Sequence, residues 1–252
     1  MNTFLTMIFI FLSLGWAGLV CLIIYCIDIR LLRKISPFVT ITQSTRIFAL
    51  FSTYMDFHFT GDKNLFEELP PQYLVMSNHQ SLLDIPLFMH FLDGPRLRFV
   101  AKAELGKNIP LISLMLNVDQ HCLIQRSGSP PKAMKTMDVF AERVLEHKWI
   151  PVIFPEGTRS LDGNLGTFHA AGFRRLLDKA PMPVVVCAIE GAWRISSLMG
   201  MAKYLKGGNY RIKIVKIFPA PINKAEQVYI LEEGKKSIEK QLVEWRGSTV
   251  KN

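Results

Sequence analysis

Asn78-His79-Gln80-Ser81-Leu82-Leu83-Asp84 stands between two apolar runs, and its place there decides how the chain is read. Before it, Tyr73-Leu74-Val75-Met76 has the length and character of a buried strand; after it, Ile85 to Leu92 has helical character. The stretch therefore reads as a strand-to-helix turn, and in α/β folds such turns open onto ligand crevices. It carries a histidine and a carboxylate. An imidazole held by a carboxylate can take a proton from an alcohol near neutral pH. A single regular helix would set the two side chains apart around its axis. Pairing thus requires His79 in the loop and Asp84 in the first helical turn. A plainer reading fits the same residues. Ser81 as N-cap with Asp84 three residues on is a capping-box pattern, which leaves His79 as a loop histidine bonded to backbone.

Outward from this turn the chain alternates. Strand-like apolar runs fall at 73–77, 97–101, 121–125, 149–154, 182–189 and 210–218, with helical patterns between them. The clearest helix starts after Pro130-Pro131 and sets Met134, Met137, Ala141, Val144 and Leu145 on one face; another amphipathic helix covers about 225–246. The alternation predicts an α/β fold: a central sheet, largely parallel or mixed, flanked by helices.

Several predicted strand ends carry polar groups. After Trp149-Ile150-Pro151-Val152-Ile153-Phe154 comes Pro155-Glu156-Gly157-Thr158-Arg159-Ser160. Gly157 permits a sharp turn. Arg159 offers a planar guanidinium, the group suited to gripping phosphate with two hydrogen bonds. Alternatively Glu156 and Arg159 pair on a surface turn and contribute little. Lys102 and Glu104 follow Phe99-Val100-Ala101, and Arg126 follows Cys122-Leu123-Ile124-Gln125.

The N-terminal region is of a different kind. Thr3 to Ile27 contains no charged residue. As a helix it would span roughly 37 Å, against a hydrocarbon core of about 30 Å. A cleaved signal peptide is disfavoured, because there is no basic leader, the apolar run is too long and no small-residue cleavage site follows. An uncleaved membrane anchor is expected, with Arg30, Arg33 and Lys34 placing its C-terminal end and the catalytic part on the cytoplasmic side. Residues 38–60 are too polar to span; they fit an interfacial amphipathic helix or a cover for the sheet. Gly61-Asp62-Lys63-Asn64 reads as a turn or boundary, dividing an anchor region, 1–60, from a catalytic domain, 61–252.

The 252 residues are 49% apolar and carry a net charge of +9. That balance suits an anionic membrane surface or a phosphorylated substrate. No nucleic-acid-binding signature accompanies it, so no nucleic-acid partner is expected. Cys21, Cys26, Cys122 and Cys187 match neither a zinc site nor a redox pair and read as small buried apolar groups.

Taken together, these motifs resemble the lysophosphatidic acid acyltransferases, the PlsC-type glycerolipid acyltransferases. Residues 78–84 look like the family's first block, and Phe154-Pro155-Glu156-Gly157-Thr158-Arg159-Ser160 like its third. Ile124-Gln125-Arg126 resembles the second block, with Gln125 where an acidic residue is frequent; Met182 to Ile189 resembles the fourth, which is usually richer in proline. The resemblance implies acyl transfer from acyl-CoA or acyl-carrier protein to the sn-2 hydroxyl of lysophosphatidic acid, giving phosphatidic acid. It needs no cofactor and no metal. It makes His79 the general base and Asp84 its orienting carboxylate. Arg159, with Glu156, Gly157, Thr158, Arg126 and Lys102, would bind substrate. Another lyso-lipid or glycerol 3-phosphate as acceptor, and a non-catalytic membrane-tethered lipid-binding protein, are the alternatives.

Overall fold

A computed structural model describes residues 3–92, 94–107, 112–125 and 129–249. The chain begins with two long helices, α1 (Thr3–Ile27) and α2 (Ile29–Met55), broken at Asp28, whose side chain accepts the Arg30 N–H. They fold back on each other, and Ser13 Oγ donates to Gln43 Oε1 at 3.0 Å across the pair. Within α1, Phe4–Ile27 is the one stretch among the described residues long and apolar enough to cross a membrane, by length and composition. Residues 38–60 depart from the expectation of a separate segment. They belong partly to α2, whose Phe48, Phe51 and Met55 are buried in the core, so this end of the helix covers the sheet.

The remaining elements alternate. They are β1 (His58–Asp62), β2 (Leu74–Ser77), α3 (Asp84–Phe91), β3 (Leu97–Lys102), α4 (Ile112–Val118), β4 (Cys122–Ile124) and α5 (Pro130–Glu146), then β5 (Ile150–Ile153), α6 (Ala170–Lys179), β6 (Val184–Glu190), α7 (Leu198–Tyr204), β7 (Asn209–Phe218) and α8 (Lys224–Thr249). Each of the six expected strands is present within two residues of its expected ends. β1 is an addition, lying where the end of a helix and a turn were expected. It pairs parallel to β7, and its sequence, His58-Phe59-Thr60-Gly61-Asp62, has no apolar alternation to betray it.

One seven-stranded sheet results, in the order β1-β7-β6-β2-β5-β3-β4. The five strands from β6 to β4 are mutually parallel, and β7 runs antiparallel to β6. Side chains alternate between the faces of the sheet. Val75, Phe99, Val152, Val185 and Ile189 meet α2 and α3 on one face, while Leu74, Met76, Ile153, Val184 and Val186 meet α5, α6 and α8 on the other. On α5 the buried face is Met137, Phe140, Ala141 and Val144; Leu145, expected there, is half exposed.

At the far edge β3 and β4 pair only from Val100 and Cys122 onward. The Phe99 N–H, just before that point, donates to His121 Nδ1 at 2.8 Å. Only an unprotonated nitrogen can accept this bond. Burial pushes the His121 imidazole down from 6.5 to about 3, and the Arg98 guanidinium adds to the shift. Between those values the unfolded chain binds a proton that the folded chain refuses, so stability is full above 6.5 and falls as the solution is acidified. His121 keeps a partly exposed edge, which trims the effect; from neutral pH to about pH 4.5 the expected loss is ~2 kcal/mol. Burial raises the Asp119 carboxyl and so works in the opposite direction. Denaturant melts of wild type and His121→Asn across this range separate the two, since Asn Oδ1 keeps the acceptor and Asp119 is common to both. The variant should show the flatter acid limb; superimposable profiles would contradict the assignment.

Candidate active site

β2 and β5 are neighbours, yet their outgoing connections part: α3 carries the chain from β2 toward β3, and α6 carries it from β5 toward β6. The two helices cover opposite faces of the sheet. The loops that follow these strands therefore diverge and leave a crevice at the carboxyl ends. Asn78 opens the β2 loop. Its amide donates to the Ile189 carbonyl and its Oδ1 accepts the Ile189 N–H, both at 2.9 Å, which continues the β2–β6 pairing after the backbone has turned away.

The next residue faces the carboxylate. His79 Nδ1 lies 2.6 Å from Asp84 Oδ2; the imidazole keeps 21% of its surface exposed and the carboxylate none. Asp84, expected in the first helical turn, is the first residue of α3. Its Oδ2 also accepts the Gln80 N–H at 2.7 Å, and its Oδ1 accepts the Ser81 N–H at 2.9 Å and the Tyr210 hydroxyl. Four donors around two oxygens replace the water that a buried anion has lost. Only half of the expected capping box forms, because the helix starts later than Ser81: its N-cap is Leu83, which makes no side-chain capping bond. Asp84 reaches back to the Ser81 N–H, while Ser81 Oγ accepts the Leu83 N–H at 3.2 Å. One carboxylate thus pairs with the imidazole and closes the turn that leads into the helix.

Tyr210 lay outside the sequence reading. It is the second residue of β7 and is fully buried. Burial, reinforced by the Asp84 charge, holds its phenol well above the ordinary value, so it remains a donor. Phe154 was also missed as a site residue; its ring stacks on the His79 imidazole with centroids 4.2 Å apart and planes 13° from parallel.

The main chain of His79 is held by the other loop. Its N–H donates to Glu156 Oε1 at 2.8 Å, and its carbonyl accepts the Ser160 N–H at 2.8 Å. Glu156 Oε2 takes the Gly166 N–H at 2.8 Å. Burial lifts the Glu156 carboxyl above its ordinary value, against the pull of the Gly166 and His79 N–H groups. Gly157 makes the turn with φ of 69°, in the left-handed region where a side chain is strained. Thr158 is exposed. The surface pair of Glu156 with Arg159 does not form, since Glu156 serves the backbone and Arg159 Nη1 donates to the Ser196 carbonyl at 2.7 Å.

The other cations stand further off. Lys102 is exposed at the end of β3, two strands from β2 in the sheet. Arg126 lies outside the described residues. Behind the site, Gln80 donates to Glu190 Oε2 at 2.9 Å and accepts the Ala192 N–H at 3.2 Å, and Arg246 of α8 pairs with Glu190 at 3.0 Å. Chemically the crevice offers a partly exposed imidazole whose Nδ1 is engaged by a buried carboxylate. That leaves Nε2 to exchange a proton with a bound hydroxyl. Among the described residues no group of three or more metal-ligating side chains converges.

A family model described as Acyltransferase matches residues 56–190. The 1-acyl-sn-glycerol-3-phosphate acyltransferase of Cocos nucifera is 33% identical over 128 residues, covering 50% of this chain and 40% of that protein. A 1-acyl-sn-glycerol-3-phosphate acyltransferase of Chlamydomonas reinhardtii is 33% identical over 171 residues, 64% of this chain and 47% of its own length. The chain thus spans less than half the length of these curated relatives. The crystal structure of the 1-acyl-sn-glycerophosphate (LPA) acyltransferase PlsC from Thermotoga maritima superposes with a TM-score of 0.69 at 22% identity, covering 95% of this chain and 94% of that one. At that identity the likeness speaks for the fold. The family match is of another kind, since it runs from the entry to β1 to the end of β6 and takes in both loops that meet at His79; by that match, over more than half its length, the chain belongs to the Acyltransferase family.

Proposed function

We propose that this chain is a membrane-bound acyltransferase that moves an acyl group from a thioester, acyl-CoA or acyl-carrier protein, to the sn-2 hydroxyl of lysophosphatidic acid, giving phosphatidic acid. The single observation that carries the reading is the His79–Asp84 pair, at 2.6 Å in the crevice of an Acyltransferase-family fold. The named relatives supply the substrate class. Binding alone would need neither an imidazole at the crevice nor a carboxylate saturated with donors behind it.

In this mechanism neutral His79 carries its proton on Nδ1, toward Asp84, and presents Nε2 to the acceptor hydroxyl. As the oxygen attacks the thioester carbonyl, Nε2 takes its proton, and Asp84 stabilises the imidazolium that forms. The tetrahedral oxyanion collapses, the C–S bond breaks, and the imidazolium returns the proton to the leaving thiolate. Phe154 and the Glu156 and Ser160 contacts keep the ring and its backbone in place throughout. Arg159, with Gly157 and Thr158 shaping its loop, holds the acceptor phosphate. Lys102, at the end of β3 beside β5, and Arg126 are the further cations assigned to substrate binding. Helix α1 anchors the chain, and basic residues outside that helix, from Arg30 onward, meet the acidic lipid surface. A full-length chain that carbonate or high salt extracts without detergent would contradict the anchor.

The hydroxyl attacks directly, with no acyl-enzyme. Ser77 and Ser81, the hydroxyls nearest His79 in sequence, are both fully buried, and Ser81 Oγ is occupied by the Leu83 N–H. His79→Ala should abolish nearly all turnover while leaving the fold intact, with a lowered thermal midpoint because the buried Asp84 loses one of its four donors. Asp84→Asn should cost several powers of ten if the imidazole depends on it as in a catalytic triad. Ser77→Ala should keep turnover, and mass spectrometry after exposure to acyl donor alone should find no adduct. A stable acyl group on Ser77 or Ser81 would replace the direct mechanism.

Arg159 provides a separate test. A charge-assisted bond to phosphate contributes roughly 1.5–3 kcal/mol, so Arg159→Ala should lower kcat/KM on lysophosphatidic acid about 10- to 150-fold. Arg159→Lys keeps the charge but not the planar fork and should recover part of it. On monoacylglycerol, which has no phosphate, the loss should be much smaller. Since Arg159 also holds the Ser196 carbonyl, equal proportional losses on both acceptors would reduce it to a loop support.

A further inference from the structure

Beside the catalytic crevice lies a second concavity that the chemistry above does not use. It is a cleft of about 650 Å³ whose walls include Leu161, Trp193, Arg194, Ser196, Met199 and Lys203. A single exposed apolar side chain needs no explanation. Here Leu161 and Met199 are 82% and 80% exposed and border the same cleft. Cations accompany them: Arg194 lies over the Trp193 ring, 4.9 Å from its centroid, and Lys203 Nζ is 5.0 Å from that of Tyr204. None of the described residues lining the cleft is acidic. Asp162, the carboxylate nearest in sequence, is turned to Ser160 and Asn164.

This rim is not a loose flap. Ile195 and Leu205, either side of α7, are buried in the core, and Gly163 lies against the Trp193 ring so closely that a Cβ there would come within 2.7 Å of Nε1. It is tied to the site from two directions, through Arg159 to the Ser196 carbonyl and through Ser81 Oγ to the Ile195 carbonyl. Just beyond α7, the Gly207 N–H donates to the Met55 carbonyl at the end of α2, and Leu205 shares an apolar cluster with Ile10 of α1. A rigid surface with projecting apolar tips, flanking cations and no lining carboxylate complements the interface of an anionic bilayer, where apolar groups enter the acyl boundary and cations meet phosphate.

We propose that Leu161 and Met199, with Arg194 and Lys203, form a second membrane contact, distinct from α1, that sets the catalytic edge of the sheet against an anionic bilayer. The contact deepens the proposed acyltransferase function, because it would bring the crevice to where a lyso-lipid resides, but its structural basis does not depend on turnover. The test uses the full chain on vesicles of equal parts phosphatidylcholine and phosphatidylglycerol. In a Cys26→Ser background, which removes the one exposed thiol, a nitroxide is placed at Met199→Cys or, as a control, at Lys135→Cys on the exposed side of α5. The label at 199 should become more accessible to oxygen than to a water-soluble nickel chelate, and the label at 135 should remain in water. Arg194→Gln with Lys203→Gln should reduce the immersion at 199. A label at 199 that stays in water while the chain is vesicle-bound overturns the proposal. A kinetic arm follows the same surface: Leu161→Ser with Met199→Ser should lower kcat/KM about tenfold on a bilayer-borne acceptor and leave a monomeric short-chain acceptor unaffected. Equal losses on the two acceptors count against the contact. Immersion at 199 in a chain that turns over neither acceptor supports the contact and sinks the acyltransferase reading.

Discussion

The structure depends on how a carboxylate is kept in a place water does not reach. Asp84 is fully buried and has four donors: two backbone N–H groups from its own turn, the imidazole of His79 and the phenol of Tyr210. An unpaired charge at that depth would be too costly to keep in a folded chain. The turn from Asn78 to Asp84, the start of α3 and the position of β7 therefore have to be mutually consistent. The site and the fold are the same arrangement, described once as chemistry and once as solvation.

Around that anion the two loops of the crevice share the work unequally. The β2 loop supplies the imidazole and its carboxylate. The β5 loop supplies no reacting group to this pair, but it fixes the imidazole's backbone on both sides, through Glu156 and Ser160, and its ring through Phe154. The imidazole is therefore held in place without any substrate, and under the proposed mechanism the reaction would not have to meet the cost of ordering it. Glu156 is the group through which a change in the β5 loop would be felt at the β2 loop.

Much of this could be read from the chain itself, for a physical reason. His79 and Asp84 are close in sequence, so their pairing follows from the local geometry of a strand-to-helix turn. Parallel strands buried on both faces leave continuous apolar runs, and those runs gave the strand positions. The loop containing Gly157 was legible because a positive φ selects glycine. What escaped depends on distance along the chain or on a weak local pattern. Tyr210 stands 126 residues from Asp84, and nothing in its own strand says which carboxylate it meets. Phe154 is one more apolar residue until its ring is seen against His79. β1 is a short polar edge strand with no hydrophobic period to reveal it. The extent of α2 was hidden because one helix packs against α1 along one part and the sheet along another, so its apolar positions follow no single stripe.

That divided helix has a consequence for any attempt to obtain a soluble fragment. Phe48, Phe51 and Met55 lie in one apolar cluster with Leu87, Phe88 and Phe91 of α3, the helix that begins at Asp84. Leu32, near the other end of α2, is fully buried beside Cys21 of α1. There is accordingly no neutral place to cut between Ile29 and Met55. A cut late in α2 uncovers the floor beneath the turn that carries His79 and Asp84, and a cut before it leaves the rest of the helix with an apolar flank that α1 no longer covers. A chain shortened by α1 would therefore also need the α1-facing flank of α2 made polar.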